Sequence, residues 1–241
     1  MRNKISKRKS TGILSVLLLS AFAFTLLGAA AQKKGPAGSV LTPDKGKLDI
    51  LLREQSVGRE EFEISASGTG WTAKGTTRIN APGAPPTTVV GSLVLQPDGA
   101  PITYDWSSRA DQTNGAHIVF DNGVARITLQ MQGKHPYEQE LSFSSPRIAV
   151  LDNNLYHQYA VLARLFDWSR RGTQSFSVLI PQELTPGTIS VESLGAASAG
   201  GKNYESLKVS TNDLQVMLYL DSNHRLMRLE VPTAQVAVVR E

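Results

Sequence analysis

The sequence predicts a mainly β protein: an antiparallel, strongly curved sheet or open barrel wrapped around a single helix. Three observations predict it. Apolar residues alternate with period two through most of the chain after Gly46. The alternating runs are punctuated by Gly, Asn, Asp and Pro at spacings of about 10–14 residues, the rhythm of an antiparallel meander. One stretch alone, 152–169, changes to the helical period.

The strands follow in order. Leu48, Ile50 and Leu52 share one face of the first, and Phe62 and Ile64 one face of the second. Gly68-Thr69-Gly70 turns the chain, and Trp71, Ala73, Gly75 and Thr77 alternate with polar neighbours. Residues 81–86 (APGAPP) break the pattern before the apolar run Thr88–Gln96, which ends in the turn Pro97–Pro101. Ile102, Tyr104 and Trp106 alternate next, and His117–Phe120 leads into Asp121-Asn122-Gly123, a hairpin signal because Asn and Gly tolerate positive φ. Val124, Ile127 and Leu129 carry the return, and Glu138–Phe143 another strand.

In 152–169, Leu155, Tyr159, Leu162 and Phe166 fall on one helix face. Asp152 or Asn153 is placed to cap its start, and Arg170-Arg171-Gly172 to complement and close its end. Strands resume with Phe176, Val178 and Ile180, then Thr188–Leu194, Tyr204–Ser210, Leu214–Leu220, the stretch ending in Leu226, Leu229 and Val231, and Val236–Val239. The reading totals about eleven or twelve strands and one helix, with no strand–helix–strand alternation and so no parallel sheet.

Residues 1–31 read as a Sec-type signal peptide. Arg2, Lys4, Lys7, Arg8 and Lys9 form the basic segment, Ile13–Leu27 the apolar one, and Ala29-Ala30-Ala31 the cleavage pattern. The apolar run is shorter than the roughly 20 residues that an uncleaved membrane anchor needs. Residues 32–45, rich in Gly, Pro and Lys, read as a flexible leader, and 46–241 as a single β domain. The expected location is therefore the periplasm or the exterior, with cleavage near Ala31 and no transmembrane span afterwards.

Charge is then reassigned. The 241 residues hold 25 Lys and Arg against 21 Asp and Glu. Five of the cations lie in the signal segment, so the mature chain has 20 basic and 21 acidic residues. With no cationic surplus, nucleic acid is excluded as a partner. The absence of cysteine removes disulfides, thiolate nucleophiles, Cys-ligated metal and a lipidated N-terminal cysteine.

Chemistry-bearing patterns are sparse. His117, His135, His157 and His224 include no pair at helical ligand spacing, so no metal site is assigned, and no cofactor. His135 and His224 read as solvated. His157 lies near Asp152, and a carboxylate orienting an imidazole is a general-base arrangement. A helix cap beside a locally bonded histidine explains the same residues, and no catalytic residue is assigned. Glu60, Glu61 and Glu63 read as one solvated face. Trp71, Tyr104, Trp106, Tyr156, His157, Tyr159, Phe166 and Trp168 are the candidates for lining a ligand pocket, with core packing as the alternative.

Three segments carry a family resemblance: Val57-Gly58-Arg59-Glu60-Glu61-Phe62, Pro97-Asp98-Gly99 before Tyr104, and Leu220 through Pro232 (LDSNHRLMRLEVP). With them the chain resembles the exported bacterial proteins of unknown function grouped as DUF3108-like, themselves distantly similar to the lipoprotein carriers LolA and LolB. The start of the helix, Leu151 to His157, departs from the carrier pattern. The resemblance implies a bent antiparallel sheet and brings no catalytic residue.

The functional expectation is a non-enzymatic binding or carrier protein for an apolar or lipid-like molecule in the cell envelope. The alternatives are an envelope structural or interaction protein that meets another envelope protein through a sheet edge or face, and a hydrolase using Asp152 and His157.

Overall fold

The computed structural model describes residues 35–170 and 172–241. The signal peptide expected over 1–31, its cleavage near Ala31, the first residues of the leader and Arg171 lie outside the described residues.

Fifteen strands form one sheet. The first meander comprises β1 (Asp44–Leu52), β2 (Gln55–Ser67), β3 (Gly70–Ile79), β4 (Thr87–Leu95), β5 (Pro101–Arg109), β6 (Thr113–Asp121), β7 (Val124–Met131) and β8 (Tyr137–Ser142). After β9 (Ile148–Val150) and helix α1 (His157–Leu165), the second comprises β10 (Gln174–Ile180), β11 (Thr185–Ala199), β12 (Lys202–Ser210), β13 (Gln215–Leu220), β14 (Leu226–Val231) and β15 (Val236–Arg240). β1 pairs with β15, so the two meanders join where the described chain begins and ends, and β8 and β9 form the free edges. The sheet is not closed: near its edges only side chains reach across, Gln139 Nε2 donating to the Leu184 carbonyl and Ser144 Oγ lying 3.2 Å from Ser177 Oγ.

Curvature has visible causes. Register shifts at Ile50/Leu51, Val94/Leu95, Ser193/Gly195 and Tyr219/Leu220 add local twist, as bulges do. The β1–β15 junction is clamped from inside. Arg240 donates through Nη1 and Nη2 to the Asp44 carboxylate at 3.2 and 2.5 Å, and its guanidinium sits 5.3 Å from the Phe62 ring.

The alternation read from the sequence holds along the strands, with Leu48, Ile50, Phe62, Ile64, Leu93, Leu95, Ile118 and Ile127 all buried. Four expectations need correction. β9 escaped the count because a three-residue strand buried at every position shows no alternation. It pairs in parallel with β10, so β9–α1–β10 is one strand–helix–strand unit in an otherwise antiparallel sheet. The helix is shorter than 152–169: Asp152 is bound elsewhere, and Phe166 is already extended at φ −65°, ψ 126°. Lastly, the leader does not run free from Gly35 onward. Leu41 is buried, Val40 N donates to the Pro97 carbonyl, and Trp71 Nε1 donates to Ser39 Oγ at 2.6 Å.

The helix lies inside the bend. His157, Gln158, Ala160, Val161, Leu162 and Ala163 are all buried, and it touches β3 on one side and β14 on the other. Close approach requires small residues beneath it. Gly75 and Gly91 are register partners on β3 and β4. A Cβ on Gly75 would come within 2.4 Å of His157 Nδ1, and one on Gly91 within 2.4 Å of Leu155 Cδ1.

Candidate functional site

The start of α1 carries the densest polar group in the interior. Glu60 points inward because it shares the strand parity of Phe62 and Ile64, and it is fully buried while Glu61 and Glu63 are exposed. Its carboxylate accepts from Tyr156 N at 2.7 Å and His157 N at 3.3 Å, and it pairs with His157 Nδ1. The helix is thus capped by a strand carboxylate, which satisfies amides that have no intrahelical partner and meets the positive end of the helix dipole. This corrects two expectations: Glu60 belongs to no solvated face, and neither Asp152 nor Asn153 caps the helix. Parity with Phe62 and Ile64 was the sequence signal that pointed to Glu60.

Asp152 forms a second, adjoining group. Its Oδ2 accepts from the Tyr104 hydroxyl at 3.0 Å and its Oδ1 from Asn154 N at 3.2 Å. Burial raises the Asp152 carboxyl above its ordinary range, only partly offset by the Gln182 side chain, by those hydrogen bonds and by His157. Burial, then the Asp152 charge, pushes the Tyr104 hydroxyl well up. The Asp152–His157 hydrogen bond that a hydrolase would use is not formed. The imidazole has 0% exposure, stacks at 6.0 Å on Phe62, and its Nε2 has no protein partner among the described residues. No hydroxyl is hydrogen-bonded to that nitrogen among the described residues. Among the described residues no three metal-ligating side chains converge.

Beside this polar group lies a partly enclosed hollow of about 230 Å³. Leu151, Asp152, Tyr156 and Tyr159 form the helix-side wall. Ile180, Ile189, Val209, Val216, Leu229 and Val236, from six successive strands, form the sheet side. Leu214 and Glu183, both exposed, stand at the mouth. Burial pushes the Tyr159 hydroxyl up to about 12 and raises Tyr156 further, with Glu60 adding to the latter.

Of the eight aromatic and histidine candidates, only Tyr156 and Tyr159 border this hollow. Trp71 is buried at the opposite end against Ser39. Tyr104 and His157 are spent on Asp152 and Glu60. Trp106 is an interior residue whose strand backs an outer groove of about 670 Å³ on β4–β7, the larger hollow but an open one, holding His117 and Asp105 in contact at 2.6 Å. Phe166 packs edge-on against Trp168 at 5.1 Å. Trp168 donates to the Ala163 carbonyl and stacks on His224 at 3.9 Å, which in turn meets Glu205 at 2.9 Å. His224 is thus bound rather than solvated; His135 is exposed. The aliphatic wall escaped the sequence reading because Val209 or Leu229 has the pattern of any core residue.

Fold and site together define a β-barrel-like protein: an open antiparallel barrel with an internal helix and an apolar recess at one end. No protein-family model matches the sequence, and no curated protein matches it. Two solved structures share the architecture. One is a β-barrel-like protein of the domain of unknown function DUF1849 from Brucella abortus, with TM-score 0.55 and 11% identity over 83% of this chain and 95% of that one. The other is a DUF1089 family protein from Pseudomonas aeruginosa, with TM-score 0.51 and 11% identity over 76% and 94%. These likenesses concern the fold. They do not show the expected DUF3108-like or LolA/LolB kinship. Among the described residues no helix is long and apolar enough to cross a membrane.

Proposed function

We propose that the mature chain is an exported, non-enzymatic binding protein of the bacterial envelope that shelters the apolar part of a small lipid-like molecule. The observation that carries this reading is the hollow between Tyr156/Tyr159 and the inner faces of β10–β15: partly enclosed, mostly aliphatic and bordered by a few polar groups. That is the composition of a ligand site. Its volume sets the scale. About 230 Å³ lies below the roughly 300–1,000 Å³ of a site for a drug-sized molecule, so it takes a short chain or the end of a longer one. The basic and apolar N-terminus supports export, and the DUF3108-like motifs support kinship with envelope carriers.

Native mass spectrometry of the protein purified from its host's envelope tests the reading. An amphiphile that co-purifies with the wild type and is lost on Val209→Trp, which fills the hollow, is expected. A wild-type protein that is empty and takes up no added alkyl chain overturns it.

A second reading, an envelope interaction protein, draws on the outer groove and on Val90, 42% exposed within it. It expects crosslinks from position 90 to one envelope protein, abolished by Val90→Arg.

A further inference from the structure

The wall of the hollow is unbalanced in charge, and that imbalance says which head group accompanies the apolar chain. Among the described residues it includes two carboxylates, Asp152 and Glu183, and no lysine, arginine or histidine. Behind the wall, the His157 ring is already held by Glu60. Tyr156 and Tyr159 contribute two aromatic rings three residues apart on the helix, and aromatic faces attract ammonium groups.

We infer that the hollow selects an amphiphile whose head is a protonated amine and rejects one whose head is a carboxylate. This rests on the reading of the hollow as a ligand site. The chain enters the aliphatic wall of β10–β15, and the ammonium stays near the mouth, between Glu183 there and Asp152 and the tyrosine rings of the helix-side wall. A fatty acid of the same length would bring a further carboxylate to a wall that already holds two and no cationic side chain. Asp152 fits this role. Its donors are the Gln182 side chain, the Tyr104 hydroxyl and Asn154 N, none of them charged. Burial therefore leaves its anionic form poorly compensated, and an arriving cation would supply what is missing. The tyrosine hydroxyls stay protonated at neutral pH and add no charge of their own.

The test uses three probes of equal chain length, n-octylamine, 1-octanol and octanoate, titrated into the exported chain at neutral pH and followed by two-dimensional NMR. The expected result is that octylamine shifts resonances of Tyr156, Tyr159 and Val209, with a Kd at least about fivefold below that of octanoate, the scale of a partly solvated ion pair. Asp152→Asn and Glu183→Gln each narrow that ratio. Glu183 is exposed, so its variant reads the effect even if the Asp152 variant does not fold. Octanoate binding in the hollow as tightly as octylamine overturns the head-group inference and leaves the hollow standing as a ligand site. Failure of all three probes to shift the hollow's resonances overturns the site and the inference together. Octylamine shifts confined to the outer surface also overturn it.

Discussion

The carboxylate of Glu60, on the second strand, holds His157, the first residue of the only α-helix among the described residues, by both its backbone amide and its ring. Both residues are wholly shielded from solvent. One side chain therefore caps the helix, neutralises its dipole and fixes the angle at which it enters the barrel. Removing a member of such a pair leaves an uncompensated polar group inside.

Glu60→Ala is accordingly expected to cost about 3–5 kcal/mol, the scale of a broken buried pair. The double variant with His157→Ala should cost less than the sum of the singles, because the imidazole no longer lacks a partner once it is gone. Urea denaturation of the four proteins measures the coupling. Strict additivity would mean that the two residues do not act as a pair.

The glycines beneath the helix differ in what they face. A methyl on Gly75 meets His157 Nδ1 at 2.4 Å and Glu60 Oε1 at 2.6 Å, atoms locked in the pair. A methyl on Gly91 meets most closely the end of Leu155 at 2.4 Å, a methyl group that a change of rotamer can move, and then the Tyr104 hydroxyl at a less severe 3.0 Å. Gly75→Ala should destabilise by about 3 kcal/mol and Gly91→Ala by about 1 kcal/mol, the range for overpacking. Equal losses in thermal melts would contradict this account.

Asp152 carries a pH signature. Its folded-state carboxyl is raised by burial, so the native protein holds that proton more tightly than the unfolded chain does. Stability from this group is present at low pH and falls as pH rises from the ordinary carboxyl value through the raised one. Asp152→Asn keeps an acceptor for Tyr104 but cannot titrate. The stability difference between the two proteins should therefore shift in favour of the variant as pH rises from about 4 toward neutrality, the ordinary aspartate value being about 3.9. Denaturation at a series of pH values checks the sign, and a flat difference would refute it.

At the far end, His224 lies flat on Trp168, linking the β13–β14 turn to the chain after the helix. His224→Ala should cost about 0.5–1.5 kcal/mol, as stacked pairs do. It should also red-shift tryptophan emission, because Trp71 and Trp106 are buried and Trp168 alone loses cover. An unchanged spectrum would deny the stack a role in solution.

The helix shows where reading from sequence stops. The existence of a helix here was legible because period 3.6 is local, although of the residues that marked it only Tyr159 and Leu162 lie within α1. Its cap was not, because the nearest acids in sequence, Asp152 and its neighbours, were the natural choice, while the residue used lies 96 positions before Tyr156. Of the aromatic candidates, only the pair on the helix itself reached the hollow. Whether Trp71 or Trp106 joins them depends on which end of the barrel each strand position occupies, and alternation alone carries no such information.

Alternation, turn residues and one change of period determined that the described residues form a mainly antiparallel β protein with one α-helix, since each of those signals is written within a few neighbouring residues. Tertiary structure decided that β1 meets β15, that Glu60 turns inward onto His157, and that Val209 and Leu229 face Tyr156 across a recess. Those outcomes depend on strand register and sheet curvature, which arise only when segments a hundred residues apart bury their apolar faces against one another.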